Sequence, residues 1–132
     1  MGEINMEYSI HITEPAKIDI RNTINYIGNV LNNPAAADRL LTKVESSIAS
    51  LSVMPQRCAL VDDPVFSFQK IRYLIIENYY TFYQIDEFTR TVHILRFLYE
   101  KSDWKNILKH SSLTYDENMF SSKGSDILSD VK

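Results

Sequence analysis

Apolar and polar positions alternate cleanly over residues 7–13, where Tyr8, Ile10 and Ile12 fall on one side and Glu7, Ser9, His11 and Thr13 on the other. A period of two predicts a first strand with one wet face. The period then lengthens. Ala16, Ile20, Ile24, Ile27 and Leu31 recur at three and four residues, the stripe of an amphipathic helix. Thr13 or Glu14 is placed to cap it, and Pro15 is tolerated in its first turn. Gly28 and the pair Asn32-Asn33 weaken and end it. Pro34 opens a second helix with Asn33 as N-cap, and its stripe is Ala37, Leu40, Leu41, Val44, Ile48 and Leu51. Two such helices joined by about three residues make an antiparallel αα-hairpin.

Met54-Pro55 closes the second helix, because the residue before proline is pushed out of the helical region. Residues 57–61 predict a short strand, and Asp62-Asp63-Pro64 a turn. Residues 69–108 then carry the strongest signal, three runs of β-branched and aromatic residues at 71–76, 79–85 and 91–99. Glu77-Asn78 separates the first two, and asparagine tolerates the positive φ of a tight hairpin. Residues 86–90 have the length of a longer hairpin loop.

The predicted order is β-α-α-β-β-β-β-α: an α+β fold in which an antiparallel sheet of four to five strands is packed by an N-terminal αα-hairpin. The sheet is the large apolar partner that the hairpin needs. Residues 1–110 form the predicted domain. Residues 111–132 are rich in Ser and Asp with scattered apolar residues, and read as a flexible C-terminal tail.

At 132 residues the chain suits one domain with its own core. The single cysteine, Cys58, excludes an internal disulfide and suits a reducing compartment. No apolar run approaches the roughly 20 residues that span a bilayer, and no signal-peptide pattern opens the chain. A cytoplasmic protein without a membrane contact is expected. Net charge is −3, and up to His110 twelve basic residues face thirteen acidic ones. That balance argues against a large nonspecific nucleic-acid surface but leaves room for a local cationic site. His11, His93, His110 and Cys58 show no metal-ligand spacing, so neither a metal nor a cofactor is expected.

Several short motifs occur in a fixed order. They are T-x-x-A (Thr13 to Ala16), D-I-x-x-x-I-x-Y-I (Asp19 to Ile27), N-P-x-A-A (Asn33 to Ala37) and L-x-x-x-P-x-R ending at Arg57. R-Y-L-I-x-x-N-Y from Arg72, F-Y-x-I-D from Phe82 and V-H-I-L-R-F-L-Y-x-K-x-D from Val92 complete the series. In this order the chain resembles the RelE/ParE superfamily, the toxins of bacterial type II toxin–antitoxin systems, also met as plasmid stabilization proteins. The resemblance implies a growth-arresting toxin and an antitoxin that wraps it, as a hetero-oligomer or with a toxin homodimer.

Two activities are known within that superfamily. One branch consists of metal-independent endoribonucleases that cut mRNA on the ribosome; the other poisons DNA gyrase without being a nuclease. The first is the expectation set here, with gyrase inhibition or an inactive, antitoxin-binding remnant as alternatives. Metal-free RNA cleavage needs a base for the 2′-hydroxyl, an acid for the leaving oxygen and fixed cations for the phosphate. By resemblance Arg72, Arg96 and Tyr99 take the catalytic positions, while Arg57, Lys70 and Lys101 widen an RNA-binding patch. The same residues have plainer uses. Arg96, in step with Val92, Ile94 and Leu98, suits a packed arginine paired to a carboxylate such as Asp103. Arg72 suits a salt-bridged strand charge, and Tyr99 an aromatic at the edge of the core.

Overall fold

The alternating N-terminal stretch becomes β1 (Ser9–Ile12) in a computed structural model that describes residues 7–111. The described residues fall into two units, divided between Ser102 and Asp103. Thr13 ends β1 and starts α1 (Glu14–Asn25): its hydroxyl accepts from the Ala16 N–H at 3.3 Å and donates to the Leu95 carbonyl at 3.2 Å. One buried side chain thus caps a helix and pins it to the sheet.

α1 runs on into a π-helical segment, Tyr26–Val30, around Gly28. A Cβ at Gly28 would stand 3.4 Å from that of Ala37, so the two helices approach closely there. Asn33 caps α2 (Pro34–Ala49), its side chain accepting from the Ala36 N–H. Ala37, Leu40, Val44 and Ile48 of the predicted stripe are buried.

Two short 3₁₀ turns, Ser50–Ser52 and Pro55–Arg57, follow. The strand expected at residues 57–61 is reduced to an isolated bridge between Leu60 and Arg72. The chain bends at Asp62-Asp63 as expected and passes directly into a short helix, α3 (Pro64–Phe68), which Asp63 caps through the Val65 N–H. Asp-Pro serves a helix start as well as a turn, and burial of Phe66 selects the helix.

Three strands complete the first unit: β2 (Arg72–Ile76), β3 (Tyr79–Asp86) and β4 (Thr91–Tyr99). The sheet order is β1-β4-β3-β2, with β2–β3 and β3–β4 antiparallel. β1 pairs with β4 in parallel, because the α1–α2 hairpin carries the chain back before the later strands begin. The left-handed φ of the β2–β3 turn falls on Glu77 (54°) rather than on Asn78.

The β3–β4 register slips at Phe82/Tyr83: Tyr83 faces Ile94 while Phe82 faces Arg96, so Leu95 is one residue too many. This bulge shifts the alternation of β4. Val92 and Ile94 enter the core, and beyond the bulge Phe97 does so instead of Arg96. The core gathers these with Tyr8, Ala16, Leu40, Val44, Ile48, Leu51, Ile76 and Tyr83.

In the second unit α4 (Trp104–Ser111) starts after Asp103, whose carboxylate accepts from Asn106 at 2.7 Å. Lys109 in its last turn brings positive charge, which suits a helix C-terminus. The expected tail lies outside the described residues apart from Ser111. Among the described residues no helix is long and apolar enough to cross a membrane.

Candidate functional site

Four of the six residues expected at the site have their positions explained by hydrogen bonds or ring contacts, beginning with Arg96. Beyond the bulge its guanidinium reaches α1, where Nε donates to Asp19 Oδ2 at 2.6 Å and Nη2 to Oδ1 at 2.7 Å. The Phe97 N–H donates to the same carboxylate at 3.0 Å. The side chains are 19% and 11% exposed. The forked pairing leaves neither carboxylate oxygen without a donor, and it joins the helix to the strand. The mate is Asp19 of the D-I-x-x-x-I motif rather than Asp103.

Arg72, at the start of β2, donates through Nη1 to the carbonyls of Gln56 (3.1 Å) and Cys58 (2.6 Å). Arg57 turns back on the end of α2, with Nη1 donating to Val53 O at 2.9 Å and Ser50 O at 3.2 Å and Nη2 to Ser50 Oγ at 2.7 Å. Cations at a helix C-terminus satisfy its last carbonyls. Tyr83, buried, donates to Pro55 O at 2.6 Å. Arg72 and Tyr83 therefore hold the irregular stretch from Ser50 to Cys58 against the sheet, while Arg57 ties that stretch to itself. Burial pushes the Tyr83 phenol far above its ordinary range, with a Cys58 hydrogen bond adding to this.

Beside them stands a cluster that sequence reasoning did not single out. Tyr8 donates to Glu87 Oε1 at 2.7 Å, and Gln56 Nε2 donates to Tyr8 Oη at 2.8 Å and to Glu87 Oε2 at 3.0 Å. The Arg90 guanidinium lies 4.2 Å over the Tyr8 ring. The hydrogen bond from Tyr8, then that from Gln56, holds the Glu87 carboxyl below its usual range, with Arg90 and Arg72 contributing. The cationic corner around Arg72 thus already contains a carboxylate.

Tyr99 is 44% exposed at the far end of β4, with its ring 5.8 Å from that of Tyr79. Tyr79 in turn stacks on Phe97 at 4.8 Å. Burial, then Tyr99 and Glu77, raise the Tyr79 phenol. Lys70 is exposed in the turn after α3 with φ 60°, and Lys101 is exposed just past β4.

Sheet register decides which of these meet. Arg72 shares a row with Tyr83 and Ile94, whereas Tyr99 shares one with Tyr79 and Ile76. Those rows stand four residues apart along β2, about 13 Å at the rise of a strand. Arg57 and Arg72 are brought to one corner, Arg96 to α1, and Tyr99 to the opposite end.

A groove of about 580 Å³ opens between α1, α2 and β1. Ile10, Ile12, Ile20, Ile24, Leu41 and Val44 line its floor, with Lys17, Arg21 and Glu45 at its rim. Among the described residues β1 is an outer strand of the sheet, so one edge of it runs beside this groove.

Compared with known proteins, residues 10–104 match the family model described as ParE toxin of type II toxin–antitoxin system, parDE. No curated protein matches significantly. Among solved structures, the chain is similar in fold to a chromosomal ParDE toxin–antitoxin system from P. aeruginosa. The TM-score is 0.58 at 18% identity, over 73% of this chain and 98% of that one. It is also similar to the RelBE2 toxin–antitoxin complex from Mycobacterium tuberculosis, with a TM-score of 0.50 at 21% identity over 70% and 98% of the two chains.

Proposed function

The chain belongs to the ParE toxin family of type II toxin–antitoxin systems, and on that premise we propose that it arrests growth by binding DNA gyrase, without cleaving RNA. This reverses the order of the two activities expected from sequence. One observation carries it: Arg96 is forked onto Asp19, Arg72 and Arg57 are held on backbone carbonyls, and Tyr99 stands on another row of the sheet. A phosphate-cleaving site needs its cations and its proton donor converging on one atom group, about 3 Å from each. Here the arginines support the scaffold.

Induced expression without the antitoxin tests this. Growth arrest with a DNA-damage response and intact transcripts in primer extension supports the reading, as does inhibition of supercoiling by the purified chain. Site-specific cuts in mRNA with no damage response would overturn it in favour of the ribosome-dependent nuclease. Harmless expression would point to a chain that keeps only antitoxin binding.

An antitoxin is the partner that membership of this family entails. We assign it to the α1–α2 groove, which fits the apolar face of an amphipathic helix, while the outer edge of β1 fits an added strand.

A further inference from the structure

His11 of β1 and His93 of β4 are direct partners in the parallel register. Their Nδ1 atoms lie 2.8 Å apart, with the rings edge to face at 5.0 Å between centroids. Two lone pairs do not face each other at this separation, so one proton sits between the nitrogens, carried by whichever ring is the Nδ1–H tautomer.

We propose that this pair is a two-nitrogen chelating site for a divalent transition-metal ion that prefers imidazole, Ni(II) or Cu(II) before Zn(II), with water completing the coordination shell. Metal–imidazole bonds of about 2.0–2.1 Å place two cis nitrogens about 2.8–3.4 Å apart, from the right angle of a tetragonal ion to the wider angle of a tetrahedral one. The observed separation matches the tetragonal end. The rings need to rotate toward a common point, without moving the strands apart.

Local chemistry agrees. Burial, then Lys17, holds the His11 imidazole below its ordinary 6.5, and burial, then His11, does so for His93 against the pull of Asp86. Both rings are therefore neutral near neutral pH, the form that ligates. Asp86 favours a cation here and Lys17 opposes it. Binding releases no proton, since the one between the rings moves to Nε2 of its own ring. Among the described residues no group of three or more His, Cys, Asp or Glu is placed to hold a metal, so the protein contributes two ligands. The ion would clip an outer strand to its neighbour, and the opposite face of that strand carries Ile10 and Ile12 into the groove.

The test is calorimetric titration of Ni(II), Cu(II), Zn(II) and, as a control, Mg(II) into the tag-free full chain at about pH 7.5, above the imidazole range. The expected result is one Ni(II) or Cu(II) per chain, a raised unfolding midpoint, and no response to Mg(II). His11→Ala and His93→Gln should each lose the binding, and His110→Ala should keep it. Because a strand variant can fail to fold, broadening of imidazole NMR signals by Cu(II) in the unaltered chain provides a second measurement. Broadening of His11 and His93 together supports the site. Absence of binding, binding that survives His11→Ala, or broadening confined to His110 would overturn it.

Discussion

Arg96 of β4 and Asp19 of α1 form a two-pronged ion pair, and the carboxylate also receives the Phe97 N–H. A guanidinium that matches a catalytic position by resemblance thereby ties helix to sheet. Its location follows from the bulge at Leu95, which takes Arg96 out of step with Val92 and Ile94.

Removing the carboxylate takes two charge-assisted hydrogen bonds from a largely buried guanidinium and one from a strand N–H. We expect Asp19→Ala to lower stability by about 3 kcal/mol, read by urea denaturation, the range for breaking a buried pair. Asp19→Ala paired with Arg96→Met should recover part of the loss. An unchanged midpoint for Asp19→Ala would show the pair to be dispensable.

Tyr83 anchors the stretch from Ser50 to Cys58 through one buried hydroxyl. Tyr83→Phe leaves the Pro55 carbonyl short of a donor and should cost about 1–2 kcal/mol. Hydrogen exchange should rise locally at residues 50–58, with the strands unaffected.

If the chain acts by binding gyrase, Tyr99 transfers no proton. Tyr99→Phe should then arrest growth as the unaltered chain does, measured by colony counts after induction. A nuclease that relied on this hydroxyl would lose about 10²–10⁴ in rate.

A charge placed on the groove floor should release the antitoxin. Leu41→Asp is expected to abolish co-purification while the toxin stays folded by circular dichroism, since Leu41 is only partly buried. Retained binding would move the antitoxin to another face.

Acid should weaken the protein through His11 and His93. The fold holds both imidazoles below 6.5, so the unfolded chain takes up protons first as pH falls. Stability contributed by the neutral pair is whole above about 6.5 and declines as pH drops below it through the lowered folded-state values. The thermal midpoint between pH 7 and pH 5 should fall less in His11→Gln, at about the same ionic strength.

Elements that depend on neighbours in sequence were legible from sequence. Thr13 and Asn33 cap helices because a cap bonds three residues ahead, and the stripes of α1 and α2 repeat with the helix turn. The β-rich runs became β2, β3 and β4 for the same reason. Pairings between distant segments left no such trace. Asp19 meets Arg96 across 77 positions, Tyr8 meets Glu87 across 79 and His11 meets His93 across 82. Each depends on a parallel β1–β4 register or a bulge that no local period records.

By itself, then, the sequence determined the helical hairpin, the three late strands and membership of a toxin family, since periodicity and motif order are properties of the chain alone. Only the tertiary structure decided what the arginines are bonded to. A guanidinium goes to the nearest acceptor that burial leaves unsatisfied, and whether that is a phosphate, a carbonyl or Asp19 depends on distances that exist only after the sheet has closed.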